Sequence, residues 1–285
     1  MDTERWKLLL TAIDKGSLCA AGEEMDYTVS GVSRSVAALE KEIGFPLLYR
    51  SKQGVVPTEE CKEILPAVRE MLYAEQKIRQ GAARVLGFEQ GVIGIGTAYR
   101  RYYPWITEVT SQFHELHPGV QFHLVNGIST DLVQQLEHHQ LDFGIVSARE
   151  GEHDWLPLCD DPLLAVLPAS HPLAKKKKVK LETLLKEPYI QTCPGLDIDS
   201  TRFFTNRGVH PNMQFSTMDI QATYAMVGAG LGYTISNQLN SNFDDPNVRH
   251  LAIDPPELIE IGIAYRRDPS PVAEAFLKFV KGRLP

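Results

Sequence analysis

The sequence predicts two domains: a mostly α-helical N-terminal winged helix-turn-helix extended by a linker helix, and a C-terminal α/β domain of two lobes. Residues 1–57 show three helical patterns and then a turn-rich hairpin, and residues 58–90 hold one long helical pattern. Residues 91–285 alternate between strand and helix patterns, which is typical of an α/β fold. With 285 residues, the chain is long enough to bury two separate cores.

The first three helices are predicted from amphipathic spacing and from the residues that start and stop helices. Residues 4–14 are amphipathic and stop at Gly16, and residues 18–25 form a short helix rich in alanine. After a two-residue turn comes a third helix, which Thr28 or Ser30 can cap. Its apolar residues recur at steps of three and four on one face: Val32, Val36, Leu39 and Ile43. This spacing is typical of a helix-turn-helix.

A short hairpin is predicted after the third helix. Gly44 ends that helix, and two β-prone pieces, residues 47–50 and 55–56, flank the turn residues 51–54. A hairpin at this place in the chain is the wing of a winged helix-turn-helix.

A long helix is predicted from its cap at Thr58 to about Arg84. At about 1.5 Å per residue, it spans roughly 40 Å. Its apolar residues follow a heptad repeat, interrupted at Glu75: Cys61, Ile64, Val68, Met71, Ile78, Ala82 and Val85. Such a seam either joins two copies of the chain or packs on its own domain, and we expect a dimer.

Beyond a glycine-flanked hinge at residues 87–91, strands and helices alternate. Residues 92–146 are predicted as βαβαβ, and residues 257–281 as a final strand and helix. Further strands and helices are predicted at 163–167, 189–192, 200–206, 213–215, 220–228 and 232–235. Two α/β lobes around a cleft are the economical arrangement, because ligands bind beyond the carboxyl ends of parallel strands.

The charge distribution limits the kinds of partner. The net charge of −7 argues against a protein that coats nucleic acid through a wholly basic surface. Residues 1–65 carry eight Lys and Arg against eleven Asp and Glu, so this part has a net charge of −3. DNA affinity depends on the charges near phosphates, so a few cations on one face still suffice. The run Lys175–Lys178 is expected in a solvated loop.

Several kinds of site are disfavoured. Cys19, Cys61, Cys159 and Cys193 form no CxxC pair and lack clustered histidines, so we expect no metal site and interpret them as buried thiols, not a redox switch. The chain lacks a GxGxxG loop with an acidic partner, a GxSxG elbow and an HExxH motif, so we expect neither a dinucleotide cofactor nor an enzyme. No apolar run reaches the roughly 18 residues of a membrane span and no secretion signal is present, so we expect a cytoplasmic protein.

Sequence motifs along the whole chain resemble one family. Residues 16–50 read GSLCAAGEEMDYTVSGVSRSVAALEKEIGFPLLYR and resemble the DNA-binding region of LysR-type transcriptional regulators. Four C-terminal motifs are also similar to that family: HPGV at 117–120, LDFGI at 141–145, HPLA at 171–174 and GAGLGYT at 228–234. The resemblance covers essentially the whole chain.

The resemblance implies a function and partners. A LysR-type regulator binds double-stranded DNA through its winged helix-turn-helix and a small-molecule effector in a periplasmic-binding-protein-like domain of two lobes. The family also implies a homodimer through the linker helix, often a tetramer, in which the effector alters DNA bending and contact with RNA polymerase. The alternative is a solute-binding or enzymatic α/β domain with a helical appendage, which the lack of a secretion signal and of a catalytic set disfavours.

Candidate DNA-binding residues lie at the front of the third helix and on the wing. They are Thr28, Val29, Ser30, Ser33, Arg34, Arg50 and Lys52. Arg34 can bind guanine or a phosphate; the alternative is a salt bridge within the domain. Arg50 and Lys52 suit phosphates or a minor groove; the alternative is that they are simply solvated. Family members often carry Gln where this chain has Val29, which leaves the base preference open. Gly22 replaces a common Ala, at about 1 kcal/mol unless close packing requires it.

Candidate effector-binding residues lie where strands of the α/β domain end. They are Thr97, Ala98, Tyr99, Arg100, Arg101, Gly127, Ser129 and Ser147 on one lobe, and Pro194, Met218 and Tyr233 on the other. Backbone N–H groups at helix starts and the two arginines favour a small organic anion, and we expect no resident cofactor. Arg100 and Arg101 are otherwise an exposed surface pair, and the residues of the opposite wall otherwise belong to ordinary turns and core.

Overall fold

The computed structural model describes residues 2–85, 90–241 and 244–285. The chain forms two compact units, residues 1–87 and 88–285. Most of the predicted glycine-flanked hinge falls on residues 87–89, which lie outside the described residues. None of the described helices is both long enough and apolar enough to cross a membrane.

The first unit begins with three helices, each started by a side chain that accepts a backbone hydrogen bond. They are α1 (Thr3–Lys15), α2 (Leu18–Glu24) and α3 (Val29–Ile43). Asp2, Ser17 and Thr28 cap them in turn, so Thr28 and not Ser30 starts the third helix. Gly16 ends α1 with φ 63°, the left-handed conformation that glycine adopts without strain. The helices and their order are those expected of a helix-turn-helix.

The wing and the long helix complete the first unit. Strand β1 (Leu48–Ser51) pairs antiparallel with β2 (Gly54–Pro57), and α4 spans Glu59–Val85. The Thr58 hydroxyl accepts a hydrogen bond from the Cys61 N–H at 3.1 Å and so caps α4. The predicted winged helix-turn-helix with its linker helix is therefore confirmed.

The heptad seam of α4 divides into two halves. Cys61 and Val68 are buried in the core of the first unit, with Trp6 and the apolar face of α3. Ile78 and Val85 are instead 72% and 87% exposed. The N-terminal half of the seam therefore packs on its own domain, and its C-terminal half presents apolar side chains to solvent.

Gly22 lies in α2 and is buried against the turn that leads to α3. A Cβ atom there would lie 2.5 Å from the Tyr27 carbonyl oxygen. The Gly22 carbonyl also accepts a hydrogen bond from the Tyr27 N–H at 2.8 Å. The backbone of the turn packs directly on the backbone of the helix, so close packing requires glycine here in spite of its weak helix propensity.

The second unit alternates strands and helices from residue 91 onward. Its first elements are β3 (Gly91–Thr97), α5 (Tyr103–Leu116), β4 (Val120–Asn126), α6 (Ser129–Glu137), β5 (Phe143–Ser147) and β6 (His153–Pro168). The next are β7 (Lys178–Lys180), α7 (Leu181–Leu184), β8 (Pro188–Thr192), α8 (Asp199–Asn206), β9 (Asn212–Thr217) and α9 (Ile220–Gly228). The last are β10 (Thr234–Asn237), β11 (Val248–Asp254), β12 (Leu258–Arg266) and α10 (Pro271–Lys281). The predicted α/β texture is confirmed.

One curled sheet runs through both lobes of the second unit. Its strand order is β4-β3-β5-β12-β6-β11-β7, and β10 also pairs with β6. Strand β6 has 16 residues, of which 153–162 pair with β12 and 163–168 pair with β10 and β11. This strand passes from one lobe to the other, whereas the sequence predicts only its second half, residues 163–167.

Each lobe has a core of its own. In lobe one (β3, β4, β5, β12, α5, α6 and α10), Phe113 and Phe276 contact edge to face with ring centroids 5.1 Å apart. In lobe two (β7 to β11 and α7 to α9), Tyr189 packs on Phe204 with ring centroids 5.2 Å apart. Because the two cores are separate, the space between the lobes forms a cleft.

Candidate functional site

Helix α3 exposes the side opposite its buried one. Three of its residues are fully buried: Val32, Val36 and Leu39. Arg34, in contrast, is exposed, and Val29, the first residue of the helix, is 48% exposed although it precedes the buried Val36 by seven residues. Lys41 follows Arg34 by about two helical turns and therefore lies on the same side. We call this exposed set the α3 face: Thr28, Val29, Ser30, Arg34 and Lys41.

Most cations of the first 65 residues are paired with carboxylates. Five of the eight form ion pairs: Arg5–Asp2, Lys7–Glu75, Lys15–Glu24, Arg50–Glu40 and Lys62–Glu59. Within the described part of the chain, no carboxylate oxygen lies within 4.0 Å of the Arg34, Lys41 or Lys52 cation. The Arg34 Nε–H donates to the Ser30 carbonyl at 3.2 Å, and the salt bridge considered for Arg34 is not formed. Three cations that lack a carboxylate partner among the described residues thus lie on α3 and the wing.

Arg50 links the wing to α3. Its Nη1 donates to the Ser33 hydroxyl at 3.0 Å, and its Nη2 lies 3.7 Å from a Glu40 carboxylate oxygen. The structure thus brings together two residues predicted from the sequence, Ser33 and Arg50, but Arg50 has a carboxylate partner. Lys41 is absent from the sequence prediction, although its seven-residue spacing from Arg34 signals a shared helix face.

A cleft of about 650 Å³ separates the lobes of the second unit. Seven of the predicted residues line it: Ala98, Tyr99, Arg100, Arg101, Gly127, Ser129 and Met218. Arg100 and Arg101 open a short 3₁₀ helix, Arg100–Tyr102, and both are exposed. Neither has a carboxylate oxygen within 4.0 Å among the residues that the structure describes. Both guanidinium groups are therefore available to a ligand.

The other predicted effector residues lie outside the lining: Thr97, Ser147, Pro194 and Tyr233. Thr97 and Ser147 are fully buried, and the Thr97 hydroxyl accepts a hydrogen bond from the Tyr99 N–H at 3.1 Å. Tyr233 is 1% exposed and packs on Tyr189 with ring centroids 5.1 Å apart. The Tyr233 ring thus belongs to the core of lobe two and not to the expected wall.

Two buried charged residues at the base of the cleft are missing from the prediction. Arg149 of lobe one and Asp199 of lobe two form an ion pair at 3.0 Å, and their side chains are 6% and 7% exposed. Arg149 follows β5 by two residues, and Asp199 is the first residue of α8. The two residues are 50 positions apart, so no local motif reveals the pair. The sequence offers only a weak signal for the pair: Arg149 comes just after a strand, and Asp199 stands at the start of a helix.

The charge of Asp199 affects the groups around it. Burial, and then the negative charge of Asp199, raise the pKa of Tyr99, so the phenol stays protonated and donates to Asp199 Oδ2 at 2.8 Å. Burial raises the pKa of Asp161 in β6 to about 6, and Asp199 adds to that rise. Asp161 accepts a hydrogen bond from the backbone N–H of Leu239, which lines the cleft. Burial is thus the main cause of both pKa shifts, and the charge of Asp199 adds to each.

The described residues include no group of three His, Cys, Asp or Glu side chains that could hold a metal ion. All four cysteines are free thiols, but only Cys61 is buried: Cys19 and Cys159 are exposed and Cys193 is half-buried, so the prediction of buried thiols is wrong for these three. Burial raises the pKa of Cys61 to about 11. The cleft offers charges and hydrogen bonds at fixed positions, an arrangement suited to binding a polar small molecule.

Two family models together match nearly the whole chain. The model described as "Bacterial regulatory helix-turn-helix protein, lysR family" matches residues 3–62. The model described as "LysR substrate binding domain" matches residues 87–285. The uncharacterized HTH-type transcriptional regulator YvbU of Bacillus subtilis is 26% identical over 287 residues, which cover 99% of this chain and 98% of YvbU.

Solved structures share the fold. Full-length OxyR C199D from Pseudomonas aeruginosa matches with a TM-score of 0.72 at 21% identity, covering 99% of this chain and 95% of OxyR. The effector binding domain of QuiR in complex with shikimate matches with a TM-score of 0.58 at 22% identity. That match covers 69% of this chain and 100% of the QuiR domain. The fold class predicted from the sequence agrees with these structures.

Proposed function

Since the chain belongs to the LysR family of bacterial transcriptional regulators, we propose that it binds promoter DNA through the α3 face and the wing and responds to a small organic anion in its cleft. It is a regulator and not an enzyme. Because it acts on DNA, we expect the protein to be located in the cytoplasm. Effector binding changes how the protein binds or bends its target promoters, and no resident cofactor is needed.

The unpaired cations of α3 and the wing support the DNA-binding part of this proposal. Arg34, Lys41 and Lys52 have no carboxylate partner among the described residues, although carboxylates outnumber cations in residues 1–65. When a cation binds a phosphate, it releases counterions from the DNA. A cation without a carboxylate partner can do so without first breaking an ion pair of the protein. Arg34 can also bind guanine O6 and N7 in a bidentate manner. Predicted contacts from Thr28, Val29, Ser30 and Ser33 complete the surface.

The exposed half of the α4 seam supports a homodimer. Ile78 and Val85 recur at heptad spacing and are largely exposed. Pairing of two such helices buries this apolar row and places two α3 helices on two half-sites of a palindromic operator. By family membership, we extend the proposal to a tetramer of two dimers and to contact with RNA polymerase.

The rim of the cleft supports an anionic effector. Arg100 and Arg101 line the cleft without a carboxylate partner among the described residues, and a guanidinium group binds a carboxylate with two parallel hydrogen bonds. A volume of about 650 Å³ suits a small organic acid. The QuiR domain, which shares the fold, was solved with shikimate.

Salt-dependent binding to the DNA upstream of the protein's own gene tests the DNA-binding part. We expect the full-length protein to prefer this DNA to a scrambled duplex, and Arg34→Ala to weaken specific binding by about 1–3 kcal/mol. Lys15→Ala is the matched control, because Lys15 is already paired with Glu24 and lies outside the α3 face. Equal binding to both duplexes, or an equal loss in both variants, would contradict the proposal.

A thermal-shift screen of small organic acids tests the effector part. We expect at least one acid to raise the Tm of the wild-type protein, since a ligand that binds only the folded state stabilises it. Replacing both Arg100 and Arg101 by Ala should abolish that shift, whereas Lys176→Ala, an exposed cation outside the cleft lining, should preserve it. If no acid shifts the Tm, the anionic effector is ruled out.

A further inference from the structure

The base of the cleft is a hydrogen-bonded cluster that joins the two lobes. Its members are Tyr99, Ser129, Ser147 and Arg149 of lobe one and Asp199 of lobe two, which we call the base cluster. Asp199 Oδ1 accepts from Ser147 Oγ at 2.6 Å and from Arg149 Nη2 at 3.0 Å. Asp199 Oδ2 accepts from the Tyr99 hydroxyl at 2.8 Å. All three donors belong to one lobe, and the acceptor belongs to the other.

The protons of the base cluster have one consistent arrangement. Ser147 has a single hydroxyl proton and Asp199 is acceptor-only when ionised, so that proton is directed to Asp199. Ser129 Oγ lies 3.0 Å from Ser147 Oγ on its acceptor side and also accepts the Ser147 N–H, while Arg149 Nη1 donates to Ser147 Oγ at 2.7 Å. The donors of lobe one thus converge on one carboxylate.

Asp199 has little capacity left to bind a ligand directly. A carboxylate offers about four acceptor positions, and three donors already occupy positions on Asp199. A cationic effector would have to compete with Arg149 for the same oxygens. The cluster therefore does not resemble a site that waits for an ammonium group.

Lobe one, by contrast, contains a complete carboxylate-binding site. The site consists of a guanidinium, a serine hydroxyl and a phenol. Two of these groups are held by neighbours in lobe one: Arg149 Nε donates to Thr130 Oγ1 at 3.0 Å, and the Ser147 N–H donates to Ser129 Oγ at 3.0 Å. If Asp199 moved away, the Arg149 charge would be left in a buried place without a partner, which is strongly unfavourable. A carboxylate from another molecule would again neutralise the Arg149 charge.

We propose that Asp199 is a built-in ligand, whose carboxylate fills a carboxylate-binding site of lobe one formed by Tyr99, Ser147 and Arg149 and keeps the cleft closed without effector. A small monocarboxylic acid binds this site by displacing Asp199, which separates the lobes at the base of the cleft. The assignment of this acid as the regulatory effector rests on the proposed function, but the site itself does not.

Chemical rescue of the full-length Asp199→Ala protein tests the proposal. We expect this variant to have a lower Tm than the wild type, and sodium formate to raise its Tm by several degrees in a saturable manner. Sodium chloride at equal ionic strength should have no such effect. The wild type, in which Asp199 competes for the site, should need far more formate than Asp199→Ala for an equal rise in Tm.

Asp219→Ala is the matched control. Asp219 also lines the cleft, and its carboxylate caps α9 by accepting from the Ala222 N–H at 2.9 Å. Loss of that cap lowers the stability without vacating the base cluster, so formate should not restore the Tm of this variant. If formate raises the Tm of Asp199→Ala no more than that of Asp219→Ala, Asp199 is an ordinary structural residue and the proposal is overturned.

Asp199→Asn keeps the proposal testable if Asp199→Ala does not fold. The amide preserves the volume of the side chain but carries no charge, so it competes less well for Arg149. We expect acetate to bind Asp199→Asn at least tenfold more tightly than it binds the wild type, as measured by calorimetric titration. Equal affinities would show that Asp199 is not a competitor.

These measurements separate this inference from the proposed function. They need neither DNA nor the natural effector. If formate restores the Tm of Asp199→Ala but the protein does not prefer its upstream DNA, the role of Asp199 as a built-in ligand is supported and the proposed regulatory function is contradicted. Selective DNA binding without rescue would do the reverse.

Discussion

The α3 face and the base cluster use their charges in opposite ways. On the α3 face, Arg34 and Lys41 are exposed and have no carboxylate partner among the described residues. In the base cluster, Arg149 is buried and its guanidinium donates to Thr130, Ser147 and Asp199. One region thus presents unsatisfied charge to the solvent, and the other has satisfied its charge internally.

This difference determines how each region binds a partner. An exposed cation contributes to phosphate binding by releasing counterions, and nothing in the protein needs to break first. A buried cation can bind a ligand only if its present partner leaves. Binding at the α3 face is therefore additive over residues and sensitive to salt, whereas binding at the base cluster is an exchange coupled to the position of the lobes.

The largest effect is expected from Arg149→Ala. This change leaves the Asp199 carboxylate nine-tenths buried without its counter-charge, which should destabilise the second unit by about 3–5 kcal/mol. Denaturant unfolding followed by circular dichroism measures this loss.

The double variant Arg149→Met with Asp199→Leu is the control for that change. It removes both charges at once and should lose less stability than Arg149→Ala, since replacing a whole buried ion pair by apolar groups is often nearly neutral. If the double variant lost as much stability as the sum of the losses of Arg149→Met and Asp199→Leu measured singly, the pair would not be coupled, and the contrast with the α3 face would fail.

The next effect concerns the backbone that positions the α3 face. Gly22→Ala puts a Cβ atom 2.5 Å from the Tyr27 carbonyl oxygen, so the turn before α3 must shift. We expect a loss of about 1–3 kcal/mol, as for other overpacked sites, together with weaker DNA binding.

Gly81→Ala is the control for Gly22→Ala. Gly81 is also helical, but a Cβ atom there meets nothing within 4 Å. This change should leave stability unaltered or raise it by up to about 1 kcal/mol, because alanine has the higher helix propensity. Thermal melts of both variants decide the matter, and a Gly22→Ala protein as stable as the wild type would refute the close-packing explanation.

Sequence patterns predict local features well, but they do not predict contacts between residues that are far apart in the chain. Thr28 caps α3 and the heptad seam starts at Cys61 because caps and periodicity depend on neighbours within a few residues. The pair Arg149–Asp199 depends on two lobes meeting, and no local pattern encodes that contact. The first half of β6 is missed because acidic residues such as Asp160 interrupt its apolar pattern. Tyr233 is misplaced because an apolar residue beside a strand suits core and cleft wall equally.

A smaller effect is expected from Lys41 of the α3 face and Lys52 of the wing. Lys41→Ala and Lys52→Ala should each weaken DNA binding by about 1 kcal/mol, nearly equally for all sequences, and reduce the salt slope by about 1, because each removes one phosphate contact. Titrations at several salt concentrations measure both quantities. Lys62→Ala serves as the control, since Lys62 is paired with Glu59 at 2.7 Å. An unchanged salt slope in both variants would mean that unpaired cations here do not contact phosphates.

The smallest effect is a pKa shift that reports the charge of Asp199 from a distance. The pKa of Asp161 is about 6 in the folded protein, raised by burial and further by Asp199. A folded-state pKa above the unfolded value of about 3.9 means that Asp161 contributes stability below about pH 4, which is lost as the pH rises through 6. Asp199→Asn removes a nearby negative charge, so the pKa of Asp161 should fall.

Carbon NMR titration of the Asp161 carboxyl group measures this shift. The pH range in which stability is lost should move downward with it, because the anion of Asp161 then forms more easily. Asp219→Asn is the comparison, since Asp219 is not among the groups that raise the pKa of Asp161. A pKa that stays constant or rises in Asp199→Asn would show that the Asp199 charge is fully neutralised by Arg149. The base cluster would then affect its surroundings only through direct contacts, unlike the exposed charges of the α3 face.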